Sequence, residues 1–190
     1  MNRLQSLSGR FAGAVRRFRK SEDGLATMEF VILFPVFITI WISAFELAML
    51  MTRQMFLERA VDITVRNVRL GNWADVSADT VRDSICENVG SMMGDCEGNI
   101  MLDMRAISRN TWAVPDPGAK CRDRTTEVQP VTKFEEGAEN EMVILRACVL
   151  VDPFFPGTQL ALILVQNTGE GFAHIATSGF VNEPGAGSNS

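Results

Sequence analysis

From Phe30 to Phe45 no charged residue interrupts the apolar run, and Leu25–Met28 and Leu47–Met51 extend it on both sides of Glu29 and Glu46. The run reaches the length of a membrane-spanning helix, which at 1.5 Å per residue must cross about 30 Å of hydrocarbon. The sequence then continues as MTRQMFLERAVDITVRNVRL, with no Pro or Gly until Gly71. Leu57, Val61, Val65 and Val68 recur at helical spacing, and Asp62 and Arg66 stand four residues apart on the opposite, solvated face. The pattern predicts one helix from about Leu25 to about Leu70, roughly 70 Å long. Its first half lies in lipid and its second half is an amphipathic stem that packs on an outer domain. Pro35 has no amide proton and is expected to bend or thin the helix locally.

Gly71-Asn72-Trp73 breaks this helix. Ser77 is a plausible N-cap for a second one, with Asp79 in its first turn, Val81, Ile85 and Val89 on one face, and Gly94 at its end. Ile100, Leu102, Met104 and Ala106 alternate with Asp103 and Arg105, the pattern of a half-buried strand. VPDPGAK reads as a loop. MVILRACVLV, Met142 to Val151, is apolar on both parities except at Arg146, as expected of a central strand, and Pro153 and Pro156 stop it. Phe172–Val181 reads as a last strand. The expected fold is α+β: a small antiparallel sheet packed on the helical stem, with a second helix. Its organisation is a basic leader over 1–24, a membrane helix over 25–52, an outer domain over 53–182 and a disordered tail over 183–190. FFPGTQLALILV, Phe154 to Val165, admits two readings. It is either a short buried helix or an apolar surface, carried by Phe154, Phe155, Leu160, Leu162 and Ile163, that meets membrane lipid or a partner subunit.

Charge adds a direction. Residues 1–24 hold six cations against two anions, a net +4, which leaves -9 on the rest of a 190-residue chain whose formal charge is -5. An acidic body is repelled by phosphates, which argues against nucleic acid as the main partner. The cations precede the apolar run, so the positive-inside rule places 1–24 in the cytoplasm and everything after Thr52 outside, in a single pass. The run is longer than the core of an ordinary secretory signal, and no A-x-A site follows it. Four cysteines, Cys86, Cys96, Cys121 and Cys148, then lie where disulfides form. Of three pairings, Cys86–Cys96 with Cys121–Cys148 is preferred because the first two flank the Gly94 turn. Free buried thiols are the alternative, and the spacings do not suit zinc. No nucleophile elbow, zincin motif, phosphate loop or dinucleotide fingerprint is present. His174 in a strand reads as structural, and the Glu135, Glu136, Glu139 and Glu141 cluster as a solvated loop. Neither metal nor cofactor is implied, and an enzyme is not expected.

The two glutamates are the anomaly. A carboxylate on a membrane helix costs about 2.5–3.5 kcal/mol at the bilayer centre and less toward its edges. Glu46, near the outer end of the run, is expected to reach interfacial water. Glu29 needs another account. It is the fifth residue after Gly24, behind a basic leader and at the head of a long apolar helix, and this arrangement resembles a class III signal sequence. With Met28-Glu29-Phe30, Pro35 six residues after the glutamate, Phe45-Glu46-Leu47, the helical continuation through Arg66, and the closing Phe180-Val181-Asn182-Glu183-Pro184, the chain is similar to the TadE/TadG-like minor pilins (pseudopilins) of tight-adherence, or Tad/Flp, pilus systems. Leu25 stands where many type IV pilins carry Phe.

The resemblance implies a bacterial inner-membrane protein with a periplasmic domain, cut by a prepilin peptidase between Gly24 and Leu25 and able to enter the pilus. A glycine suits a tight protease site because it has no Cβ. Glu29, Phe30, Pro35 and Glu46 would serve recognition and assembly, with Glu29 pairing with the new α-amine of a neighbouring subunit. The implied partners are the peptidase, another minor pseudopilin, the major Flp pilin, and the inner-membrane platform with its assembly ATPase. The alternative is a structural or sensor protein with an uncleaved anchor and an extracytoplasmic interaction domain.

Overall fold

The computed structural model describes residues 25–73, 75–108, 111–112, 121–122, 124, 128–166 and 171–182. The leader with Gly24, the VPDPGAK loop and the tail 183–190, with Glu183 and Pro184, lie outside the described residues. By their contacts, the described residues up to Ala44 form one unit and those from Phe45 onward a second.

Helix α1 runs over Leu25–Arg69, continuing through Pro35. In the first unit it shows apolar side chains on all sides: Phe30, Leu33, Phe37 and Trp41 are each at least 60% exposed. A helix apolar all round is the kind that a membrane or a protein interior buries. Its length and composition suffice to cross a membrane once. The hydroxyls within it are satisfied locally, Thr39 Oγ1 donating to the Pro35 and Val36 carbonyls and Ser43 Oγ to the Thr39 carbonyl. This back-bonding lets polar side chains sit in an apolar setting.

In the second unit the rest of α1 becomes one-sided. Leu57, Ala60, Val61, Val65 and Val68 are buried, while Glu58, Arg59, Asp62 and Arg66 face out. Helix α2, Ala78–Val89, packs on the same core through Val81, Ile85 and Val89, and Ser77 caps it by accepting from the Thr80 amide at 3.1 Å. Thr64 and Ser84 share a hydrogen bond of 3.0 Å between stem and α2. The sequence puts the end of this helix at Gly94. The α-helix stops earlier, at Gly90 (φ 61°), and a 3-10 turn over Gly90–Met93 reaches Gly94 (φ 63°). Glycine takes this left-handed backbone at no steric cost, and two such residues permit two stops in succession. One further short turn, α3, spans Cys96–Asn99.

Three antiparallel strands follow: β1 (Ile100–Ile107), β2 (Met142–Val151) and β3 (Phe172–Val181), in spatial order β1-β2-β3. The strand boundaries match the sequence pattern, and β2 is central. Cross-strand rows such as Leu102–Ala147–Ala176 and Met104–Leu145 lie on the face turned to the helices and join their core. Arg146, Cys148 and Leu150 occupy the other face and are also buried. That accounts for the two apolar parities of β2. On the outer edge of β1, Met104 N donates to Lys133 O at 2.8 Å and Glu135 N to Met104 O at 2.9 Å. A strand edge that would otherwise template aggregation is thereby partly occupied. Between β2 and β3, helix α4 spans Gln159–Gln166.

Candidate functional site

Glu29 is exposed on α1, and among the described residues no side chain or backbone group pairs with it. Phe30, stacked on Phe34 at 5.0 Å, and Pro35 are likewise exposed. Gly24 is outside the described residues, and Leu25 opens α1. These positions form an exposed apolar stretch with a single carboxylate on it.

Glu46 behaves differently, and here the sequence expectation is corrected. Its side chain is fully buried rather than in interfacial water. Oε1 accepts from Phe154 N at 2.8 Å and Oε2 from Phe155 N at 3.0 Å. The chain leaving β2 at Pro153 turns across the end of the apolar run and aims two successive amides at one carboxyl group. Charge-assisted bonds of this kind are among the stronger ones, and two of them offset much of the desolvation of the group. The rings of Phe154 and Phe155 then pack edge-on against Phe45, with centroids 6.1 and 6.0 Å away.

About two turns further along, Arg53 is buried too. Its Nη1 donates to Asp152 O at 2.9 Å, and its guanidinium lies over the Phe154 ring, 5.7 Å from the centroid. Gln54 donates from Nε2 to Ile175 O at 2.8 Å and places Oε1 3.1 Å from His174 Nδ1. His174 is buried, and burial, with the Arg53 charge second, lowers its pKa from 6.5 to about 4. A neutral ring therefore donates from Nδ1 to Gln54, and its Nε2 has no partner among the described residues. The structural reading of His174 stands beside this geometry: it ties β3 to the stem. Asp62, which the sequence pairs with Arg66, instead accepts from Ser178 Oγ at 3.2 Å, so the stem follows β3 over several turns.

The bridges Cys86–Cys96 and Cys121–Cys148 are both closed. The first ties α2 to α3 beside the core. The second fastens the segment before β2 onto the sheet face away from the helices. There Arg124 donates to Asp152 Oδ1, Leu150 O and Asn99 Oδ1. Among the described residues no three His, Cys, Asp or Glu side chains gather as a metal site would require.

In the apolar segment the two readings divide by residue. Ala161 is buried against the domain and Leu160 half-buried, while Phe154, Phe155, Leu162 and Ile163 are exposed. Thr158 starts α4, accepting from Ala161 N at its hydroxyl and from Leu162 N at its carbonyl. Arg53 and Gln54 were not singled out from the sequence, and Asn182 entered only as part of the closing motif. Arg53 is the first cation past the apolar run, a position that marks a membrane boundary, and that signal was available.

No curated protein and no solved structure matches the chain. Residues 24–66 match the family described as TadE-like protein. The match begins at Gly24, spans Glu29, Pro35 and Glu46, and ends at Arg66, so the long helix as far as the start of its stem is similar to that family.

Proposed function

We propose that this protein is a non-enzymatic minor pilin, or pseudopilin, of a tight-adherence pilus, matured by a prepilin peptidase and acting in pilus assembly at the bacterial inner membrane. The observation that carries the reading is the TadE-like match beginning at Gly24, with Glu29 at the fifth position of the helix that follows. Cutting after Gly24 would create an α-amine at the membrane edge. The exposed Glu29 carboxylate is supplied for such a partner on a neighbouring subunit. Opposite charges about 4 Å apart attract by about 4 kcal/mol at an effective dielectric near 20, before desolvation is subtracted. The charge order along the chain fits an N-in anchor with the sheet domain in the periplasm, where disulfides persist. The peptidase, a second pseudopilin, the major Flp pilin and the platform with its ATPase are the proposed partners.

N-terminal sequencing of the membrane-bound protein tests the processing step. The expected terminus is Leu25, and Gly24→Leu should abolish it because a bulky side chain does not fit a site built for glycine. An intact Met1 terminus in cells that contain the peptidase would point instead to an uncleaved anchor. Glu29→Gln, once cut, should insert in the membrane at least as well as the parent and fail to co-purify with pilin partners.

A further inference from the structure

The apolar face made by Phe45, Phe154, Phe155, Leu162 and Ile163 is the surface that neither the anchor nor the pilus reading uses. Four observations bear on what covers it. The face is continuous with the apolar run, because Phe45 belongs to that run and its ring touches both Phe154 and Phe155. No charged residue occurs between Asp152 and Glu170. Phe154, Leu162 and Ile163 are more than half exposed, at 52, 53 and 59%. Glu46, the one carboxylate at this level, is turned inward and fully buried by the amides of the same loop.

We propose that this face, the Phe154–Phe155 turn with the outer side of α4, is a second membrane contact that dips into the outer half of the bilayer. The occupant is lipid. Phe45 lies within a segment that is apolar because it is in hydrocarbon, so side chains touching its ring sit at hydrocarbon or interfacial depth. Arg53 is the next charged residue along α1 after Glu46. It lies eight residues beyond Phe45, about 12 Å along a helix, and its guanidinium covers the Phe154 ring. Phe154 thus lies between the level of the apolar run at Phe45 and that of the first charge beyond it. A surface presenting Phe, Leu and Ile with few directional polar groups suits acyl chains, whose packing needs no register. The inference rests on the membrane anchor and not on the pilus assignment, so it survives or fails independently of the Leu25 terminus.

All four native cysteines are in disulfides, so an added cysteine gives a single site for a nitroxide label. Full-length protein carrying Ile163→Cys would be labelled, reconstituted in phosphatidylethanolamine–phosphatidylglycerol vesicles, and compared with Val181→Cys at the distal end of β3. Expected is a severalfold higher ratio of oxygen to nickel-chelate collision at position 163 than at 181, unchanged as the protein-to-lipid ratio is varied. Leu162→Cys should repeat the result. Nickel accessibility at 163 equal to that at 181 would place the face in water and overturn the proposal. Shielding from both reagents, with spin–spin broadening that grows with protein density, would also overturn it and assign the face to a second copy of the chain. Non-reducing peptide maps showing both native bridges intact establish that each labelled variant is folded.

Discussion

Glu46 Oε1 accepts a hydrogen bond from the Phe154 amide at 2.8 Å across 108 residues of sequence. The bond joins the end of the apolar run to the first turn after the central strand. It gives the second of the two glutamates a structural task, and leaves Glu29 as the one without a partner among the described residues.

Glu46→Gln should therefore be costly. The amide offers one acceptor oxygen and turns an NH2 donor toward a second donor, so one buried backbone N–H loses its partner. Such a loss costs about 1–3 kcal/mol. Thermal unfolding in detergent should show the lowered stability, and hydrogen exchange should show faster exchange at Phe154 or Phe155. Unchanged stability and protection would mean that the pair of bonds does not hold the turn.

Stability should fall as the medium is acidified below neutrality. His174 has a folded pKa of about 4 against 6.5 for the unfolded chain. Its contribution is complete above pH 6.5, declines as the unfolded state takes up the proton, and is lost as pH falls through 4. At 1.36 kcal/mol per pH unit the whole window is worth about 3 kcal/mol. His174 is the chain's single histidine, so the upper part of the window, where carboxylates remain ionised, belongs to it. Denaturant unfolding at pH 7.5, 6 and 5 should show the decline for the parent and a flatter profile for His174→Gln.

The two disulfides close loops of different length, with sequence separations of 10 and 27. Chain-entropy arithmetic gives about 2.7 kcal/mol for the shorter and about 3.5 kcal/mol for the longer. Paired serine replacements at Cys121 and Cys148 should thus shift the denaturation midpoint further than those at Cys86 and Cys96. The reverse order would show that the α2–α3 tie matters through the core beside it rather than through loop closure.

Asn182 closes the far end of the domain. Its Nδ2 donates to Glu136 O at 2.7 Å and to Gly137 O at 3.2 Å, and its backbone pairs with Asn140 and Glu141. Gly137 has φ 75°, and a Cβ there would lie 2.6 Å from Cγ2 of the fully buried Val143. Asn182→Ala should cost about 1–2 kcal/mol through lost hydrogen bonds. Gly137→Ala should cost more, since left-handed backbone alone disfavours a side chain by about 1–2 kcal/mol and Val143 has nowhere to move. Urea unfolding of both variants checks the order.

Local pattern sufficed where one interaction dominates a whole segment. The uncharged run from Phe30 to Phe45 demands a helix long and apolar enough to cross a membrane. The Leu57, Val61, Val65 and Val68 spacing demands a helix with one buried face. Alternation in 100–106 and apolarity on both parities in 142–151 demand an edge and a central strand. These are repeated hydrophobic terms, legible without knowing what lies opposite. The TadE-like character was legible too, because a glycine, a glutamate and a proline at set spacings on an apolar helix are themselves a linear pattern. Only the tertiary structure could decide the fate of single polar groups. Whether Glu46 meets water or two amides depends on where residue 154 returns after 108 residues of chain, and Arg53, Gln54 and His174 acquire partners only when β3 lies along the stem. The free energy of a buried polar group is set by the few atoms within hydrogen-bonding distance of it, and sequence spacing does not encode those atoms when they come from distant parts of the chain.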